Sequence, residues 1–80
     1  MKMPRDISGG ALIKSLKLYG NSITGQSGRH IRLSTEKNGQ HHITIPNHDP
    51  IKIGTLSAIL VDIATHFNKT KEDVIVEIFG

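Results

Sequence analysis

The chain contains no cysteine and no tryptophan, and only three of its eighty residues are aromatic. Disulfide bonds and thiolate–metal sites are therefore excluded, and a cytoplasmic location is expected. No apolar run approaches the roughly eighteen residues of a membrane helix, and the first residues lack the apolar segment of a secretory signal. Aliphatic side chains must supply most of the packing of a single small domain, expected to span residues 1–80.

Charge is distributed unevenly along the chain. The net charge is +3, but residues 1–54 carry eight Lys or Arg against three acids, whereas residues 55–80 carry two Lys against four acids. A basic first part favours a polyanionic partner on one face. The alternative is that a net charge of +3 serves only the solubility of a small domain.

Hydrophobic spacing predicts a first helix and three strands. Residues 9–19 carry apolar side chains at helical intervals, between an N-capping Ser8 and a glycine, Gly20, that is typical after a last turn. In the first predicted strand, Ile23 is expected to point inward. That strand is expected over residues 21–26, and clean alternation of apolar and polar residues predicts the other two strands over residues 30–35 and 42–46.

The link between the second and third predicted strands determines their register. Opposed residues of an antiparallel pair share a face, so Ile31 must oppose Ile45. Leu33 must likewise oppose Ile43. A two-residue turn gives the wrong parity, whereas a three-residue loop over residues 37–39 restores it. The opposite face of the sheet then carries polar side chains: His30, Arg32, Ser34, His42 and Thr44.

Two further helices complete the predicted fold. An apolar stripe at helical spacing runs from Leu56 to Phe67, and Asn68 ends this helix. Thr70 can cap a short last helix with Asp73 at its third position. The order of elements predicts an α+β fold, a two-layer α-β-β-β-α sandwich with a short C-terminal helix and one sheet face open to solvent.

Histidines are the remaining candidates for chemistry, because close carboxylate pairs and phosphate-binding glycine loops are missing. His41, His42 and His48 could be metal ligands. However, neighbouring strand residues point to opposite faces, so the first two cannot easily share one ion. No metal or other cofactor is expected. His66 lies one helical turn from Asp62 and is expected to make a local surface pair with it.

His30 suggests a ribonuclease. RNA carries its own nucleophile, the 2′-hydroxyl, so cleavage needs a base for that proton, an acid for the leaving oxygen and a cation for the phosphorane charge. An imidazole can serve as base or acid near neutral pH, and a guanidinium suits phosphate oxygens. His30 with Arg29 and Arg32 would supply these groups. The alternative is an exposed strand-edge histidine beside solvated arginines.

Two segments carry combined motifs. The first is ISGGALIKSLKLYG leading into GQSGRHIRL, and the second is ITIPNHDPIKIGTLSAIL. Together they resemble the HicA family of small toxins, the mRNA interferases of HicA–HicB toxin–antitoxin pairs. That family has a similar first helix, a Gly-Ser-His turn, a strand ending in Pro-x-His, and Gly-Thr-Leu opening its second helix. Its usual serine before the histidine is Arg29 here, and the histidine that commonly follows is Ile31.

The resemblance implies a double-stranded-RNA-binding-domain-like fold. It also implies metal-independent mRNA cleavage by one histidine, which maps onto His30. A HicB-like antitoxin would bind the toxin and block its site, and no DNA partner is expected for the toxin alone. The alternatives are a non-catalytic RNA-binding module of the same fold and a protein-interaction domain whose partner covers the open sheet face. Candidate RNA contacts are basic residues: Arg29, Arg32, Lys14, Lys17, Lys37 and Lys52.

Overall fold

A computed structural model describes residues 3–80 and has the predicted order of elements. The first predicted helix is divided, because an α-helix tightens into a 3₁₀ turn that ends at a left-handed Gly20 with φ of 77°. Ser8 caps the helix through its side chain. The elements are α1 (Gly9–Ser15) with its 3₁₀ turn (Leu16–Tyr19), β1 (Ser22–Ser27), β2 (His30–Thr35), β3 (His41–Pro46), α2 (Ile53–His66) and α3 (Lys71–Phe79).

The three strands form one antiparallel sheet in the order β1-β2-β3. Ile31 pairs with Ile45 and Leu33 with Ile43, so the predicted register is confirmed. The β2–β3 ladder ends one pair early, and the loop has five residues, 36–40, rather than three. Polar side chains line the opposite face as predicted; Ser34 is half-buried and the others are exposed.

A single aliphatic core joins the helices to one face of the sheet. α1 and α2 pack against β3, and α3 packs against α2. The chain is therefore an α+β protein with one buried and one exposed sheet face. No helix within residues 3–80 is long and apolar enough to cross a membrane. The most deeply buried side chains are aliphatic: Leu12, Leu16, Leu33, Ile45, Leu56, Leu60, Ile63 and Val74.

The expected burial of Ile23 is wrong. Ile23 pairs with Leu33 across the β1–β2 ladder, yet its side chain is 58% exposed whereas that of Leu33 is fully buried. β1 is an edge strand, and the helices pack against the other edge of the sheet, at β3. The β1–β2 register also shifts between Ile23 and Gly25, where a bulge interrupts the ladder.

The acidic last segment packs on the domain as α3. A capping box begins the helix as predicted, since Thr70 accepts from Asp73 N and the Asp73 carboxylate accepts from Thr70 N. Tyr19 donates a hydrogen bond to Glu77 and thereby joins the end of the 3₁₀ turn to α3. Lys69 also contacts the Glu77 carboxylate, with Nζ 2.7 Å from Oε1.

Candidate active site

His30 begins β2, directly after a two-residue turn. Ser27 pairs with His30, so Gly28 and Arg29 alone connect β1 to β2. Gly28 adopts a left-handed φ of 57°, which two-residue hairpin turns require and which glycine adopts without strain. This turn therefore places the Arg29 guanidinium directly before the His30 imidazole at the beginning of β2. The His30 side chain is exposed on the open, polar side of the sheet.

An open groove of about 410 Å³ lies beside His30, between the sheet and the start of α2. Its volume is in the range of about 300–1,000 Å³ that is typical of small-ligand sites. Ile51 is buried and supplies apolar surface, whereas one lysine and two imidazoles supply basic groups. Residues that line the groove include His30, Pro46, His48, Ile51, Lys52 and Thr55.

Backbone hydrogen bonds hold the segment that follows β3 and forms part of this groove. Asn47 N donates to the carbonyl oxygen of Arg29 at 2.7 Å, which ties the segment to the turn before His30. Gly9 N donates to the carbonyl oxygen of His48 at 2.8 Å. Ile51 N donates to the carbonyl oxygen of Ile7, also at 2.8 Å. The groove is therefore attached to both the sheet and the beginning of α1.

The candidate basic residues nearest the groove are Lys52 and the two arginines. Lys52 lines the groove itself. Arg32 is exposed on the same sheet face as His30, two residues further along β2 and opposite Thr44. Arg29 is exposed in the turn immediately before His30. Lys52 therefore shares the groove with His30, whereas Arg29 and Arg32 are placed near His30 by their positions in the turn and on β2.

The remaining candidate lysines lie elsewhere. Lys14 and Lys17 border a separate groove between α1 and β1, which also includes the exposed Ile23. Lys37 follows the far end of β2, and its Nζ lies 3.4 Å from the carbonyl oxygen of Leu18. The structure therefore does not bring these three lysines to the His30 groove.

Two other histidines join the hairpin loop and β3 to α2. His41 Nε2 lies 3.2 Å from Asp62 Oδ1, and the His41 ring stacks on the His66 ring with a centroid separation of 4.3 Å. His66 Nε2 contacts the carbonyl oxygen of Lys37 at 2.9 Å, and Asn38 Nδ2 donates to the carbonyl oxygen of His66 at 2.8 Å. The expected Asp62–His66 pair is wrong, because Asp62 contacts His41 instead.

His42 lies on the open face but outside the His30 groove. Its Nδ1 is 2.6 Å from Ser34 Oγ, which is 2.7 Å from Thr24 Oγ1, so three polar groups form a chain across the three strands. His41 and His42 pair with consecutive residues of β2 and point to opposite faces. Among residues 3–80, no group of three or more His, Cys, Asp or Glu is arranged to hold a metal ion.

His48 and Thr55 were missed as groove residues. The sequence suggested His48 as a possible metal ligand and as part of the Pro-x-His motif, and Thr55 as an early residue of the second helix within the Gly-Thr-Leu motif, but it assigned neither residue to the site. A signal was present for His48, because it lies two residues after Pro46, the register partner of His30. No local sequence pattern predicts that the segment after Pro46 lies beside the His30–Pro46 pair.

Comparison with known proteins gives a match to one family model. The model described as the HicA toxin of bacterial toxin–antitoxin matches residues 9–64. The match begins at the first residue of α1, includes the whole sheet and the His30 groove, and ends near the end of α2. α3 lies outside it. No curated protein and no solved structure gives a significant match.

Proposed function

The chain belongs to the HicA toxin family of bacterial toxin–antitoxin systems, and we propose that it is a metal-independent endoribonuclease that cleaves mRNA. The observation that carries this proposal is the exposure of His30 beside an open groove that contains a lysine. An imidazole in such a place can reach the backbone of a bound polynucleotide. Arg29, Arg32 and Lys52 can hold its phosphates.

The reaction uses a nucleophile that RNA supplies. The 2′-hydroxyl attacks the adjacent phosphorus, the bond from phosphorus to the 5′-oxygen breaks, and His30 takes or donates a proton in this step. Cationic side chains stabilise the charge that develops on the phosphorane oxygens. The expected products are a 2′,3′-cyclic phosphate and a 5′-hydroxyl.

The surface we assign to RNA is the His30 end of the polar sheet face together with the adjoining groove. We interpret the fold as a two-layer sandwich of the double-stranded-RNA-binding-domain type, formed by one domain over residues 1–80. Phosphate contacts position such a protein without reading sequence, and an A-form duplex is recognised mainly by shape. Lys14, Lys17 and Lys37 lie away from the groove, so any contacts they make fall on more distant phosphates.

We assign a protein partner to the groove beside His30. A toxin of a toxin–antitoxin pair needs an antitoxin, and a HicB-like protein that covers His30 and Lys52 would block access to RNA. The cytoplasm, where mRNA is available, is the proposed location.

The direct test compares two histidine variants of the purified protein with mRNA in excess chelator. His30→Ala should lose cleavage, whereas His42→Ala, which removes an exposed imidazole outside the groove, should retain it. Undiminished cleavage by His30→Ala would remove the assignment. If the unaltered protein leaves RNA intact but binds it with strong salt dependence, a non-catalytic RNA-binding module is the better description.

A further inference from the structure

A second imidazole lines the same groove as His30. His48 is exposed and lies two residues beyond Pro46, which pairs with His30 across the end of the β2–β3 ladder. The other histidines are engaged elsewhere, with Ser34, Asp62 or the carbonyl oxygen of Lys37. In the part of the chain from residue 3 onward, no protein group hydrogen-bonds to the ring of His30 or of His48. Both rings are therefore available to a bound ligand.

We propose that His48 is the second proton-transfer residue of the cleavage reaction and that Lys52 binds the scissile phosphate. This inference rests on the proposed ribonuclease function, and it replaces a single-histidine mechanism with a two-histidine one. Transfer of a phosphoryl group from the 5′-oxygen to the 2′-oxygen needs both a proton acceptor and a proton donor. One imidazole meets only half of that requirement at any moment.

The proton balance of the step is complete with two imidazoles. The neutral ring accepts the proton of the 2′-hydroxyl as the bond from the 2′-oxygen to phosphorus forms. The protonated ring donates its proton to the 5′-oxygen as the bond from phosphorus to that oxygen breaks. No water, metal or other co-reactant is consumed, and the two rings exchange protonation states. Solvent exchange then restores the starting state before the next turnover.

The position of His48 is held by the fold. Its carbonyl oxygen accepts the Gly9 N–H at 2.8 Å, and the preceding residue, Asn47, donates to the carbonyl oxygen of Arg29, the neighbour of His30. The segment then enters the core at Ile51, which is only 3% exposed. A catalytic group must be held close to its reactive geometry, and these attachments restrict the backbone on both sides of His48.

Lys52 complements the two imidazoles. It lines the groove immediately before α2, its side chain is exposed, and its Nζ makes no hydrogen bond or ion pair within residues 3–80, so its ammonium group is available for a phosphate oxygen. Because the charge on the phosphorane oxygens is greatest in the transition state, a fixed cation there lowers the barrier to cleavage. The groove would thus contain an acceptor, a donor and a cation.

The test uses two oligoribonucleotides that differ at one atom. One has the natural 5′-oxygen at the cleaved bond, and the other has sulfur there, which leaves as a thiolate without needing a proton. On the natural substrate, His30→Ala and His48→Ala should each lower the cleavage rate by about 10²–10⁴-fold. On the sulfur substrate only one of the two should recover a nearly unaltered rate, namely the variant that lacks the proton donor.

The outcomes distinguish this inference from the proposed function. Undiminished cleavage of the natural substrate by His48→Ala overturns the role of His48 and leaves the ribonuclease proposal standing. The same conclusion follows if both variants lose cleavage of the natural substrate and neither recovers on the sulfur substrate. Failure of the unaltered protein to cleave either substrate overturns both. His48→Gln, compared by circular dichroism and thermal unfolding, separates loss of a proton-transfer group from loss of the fold. The pH profile should be bell-shaped and lose one limb in each variant.

Discussion

Gly9 lies so close to Pro46 that a β-carbon at Gly9 would stand 2.5 Å from the Pro46 carbonyl oxygen. Gly9 also donates its N–H to the carbonyl oxygen of His48. The first residue of α1 therefore contacts the segment that forms part of the His30 groove. This contact gives a physical reason for glycine at position 9, although glycine weakens a helix.

Gly9→Ala is expected to destabilise the protein by about 1–3 kcal/mol, because the new methyl group overlaps backbone that cannot move independently. Gly10→Ala is the matched control, since a β-carbon there meets nothing within 4 Å. This control should be neutral or more stable by about 0.5–1 kcal/mol. Urea unfolding of the three proteins measures both changes. Equal stability of the two variants would contradict the close packing of α1 on β3.

Ile23→Ala and Leu33→Ala test the exposure of the edge strand. These residues pair directly, but the Ile23 side chain is 58% exposed and the Leu33 side chain is fully buried. Leu33→Ala should cost about 2–5 kcal/mol of unfolding free energy, as truncations in a packed core do. Ile23→Ala should cost much less. Similar losses, measured by denaturant unfolding, would mean that the helices cover β1 as well as β3.

The raised pKa of Tyr19 predicts that the protein becomes less stable at alkaline pH. Burial of the side chain, followed by its hydrogen bond to the Glu77 carboxylate, raises the pKa of Tyr19 well above its usual value. The native state therefore retains the phenol proton at a pH where the unfolded state releases it. The resulting stabilisation is complete below about pH 10 and is lost as pH rises further.

Tyr19→Phe removes that titration. The variant should be less stable than the unaltered protein near neutral pH, and the difference should shrink as pH rises above about 10. Unfolding free energies at a series of pH values measure this convergence. A difference that stays constant with pH would show that Tyr19 contributes packing alone.

Lys52→Met and Lys37→Met separate a groove cation from a distant one. If each lysine contacts one phosphate of single-stranded RNA, either variant should reduce the slope of log affinity against log salt by about 0.7. Only Lys52→Met should also lower kcat, because Lys37 follows the opposite end of β2 from His30. Binding titrations and single-turnover cleavage measure the two effects. An equal loss of kcat in both variants would contradict the placement of the reacting phosphate in this groove.

The sequence predicted the elements and the β2–β3 register well, because these depend on local periodicity. Parity alone placed Ile31 opposite Ile45 and left His30 on the polar face. The length of the hairpin loop was not predictable in this way. Asn38 and the neighbouring Lys37 carbonyl are hydrogen-bonded to His66, which lies at the end of a distant helix.

The candidate site was only partly predictable for the same reason. His30 follows a turn that the sequence marks with Gly28, so its exposure could be expected. The partner of His41 and the place of His48 depend on contacts between segments that are remote along the chain. Likewise, Ile23 is exposed because the helices pack on β3, and the sequence pattern of β1 does not indicate which strand the helices cover.

The central claim is that His30 transfers a proton as the 2′-hydroxyl of RNA attacks its own phosphodiester. The most direct measurement is the rate and the end groups of RNA cleaved in excess chelator by the unaltered protein and by folded His30→Ala. The account predicts fragments with 2′,3′-cyclic phosphate and 5′-hydroxyl ends from the unaltered protein, and cleavage at least about 10²-fold slower from the variant. Equal rates, or fragments with 5′-phosphate ends, would contradict it.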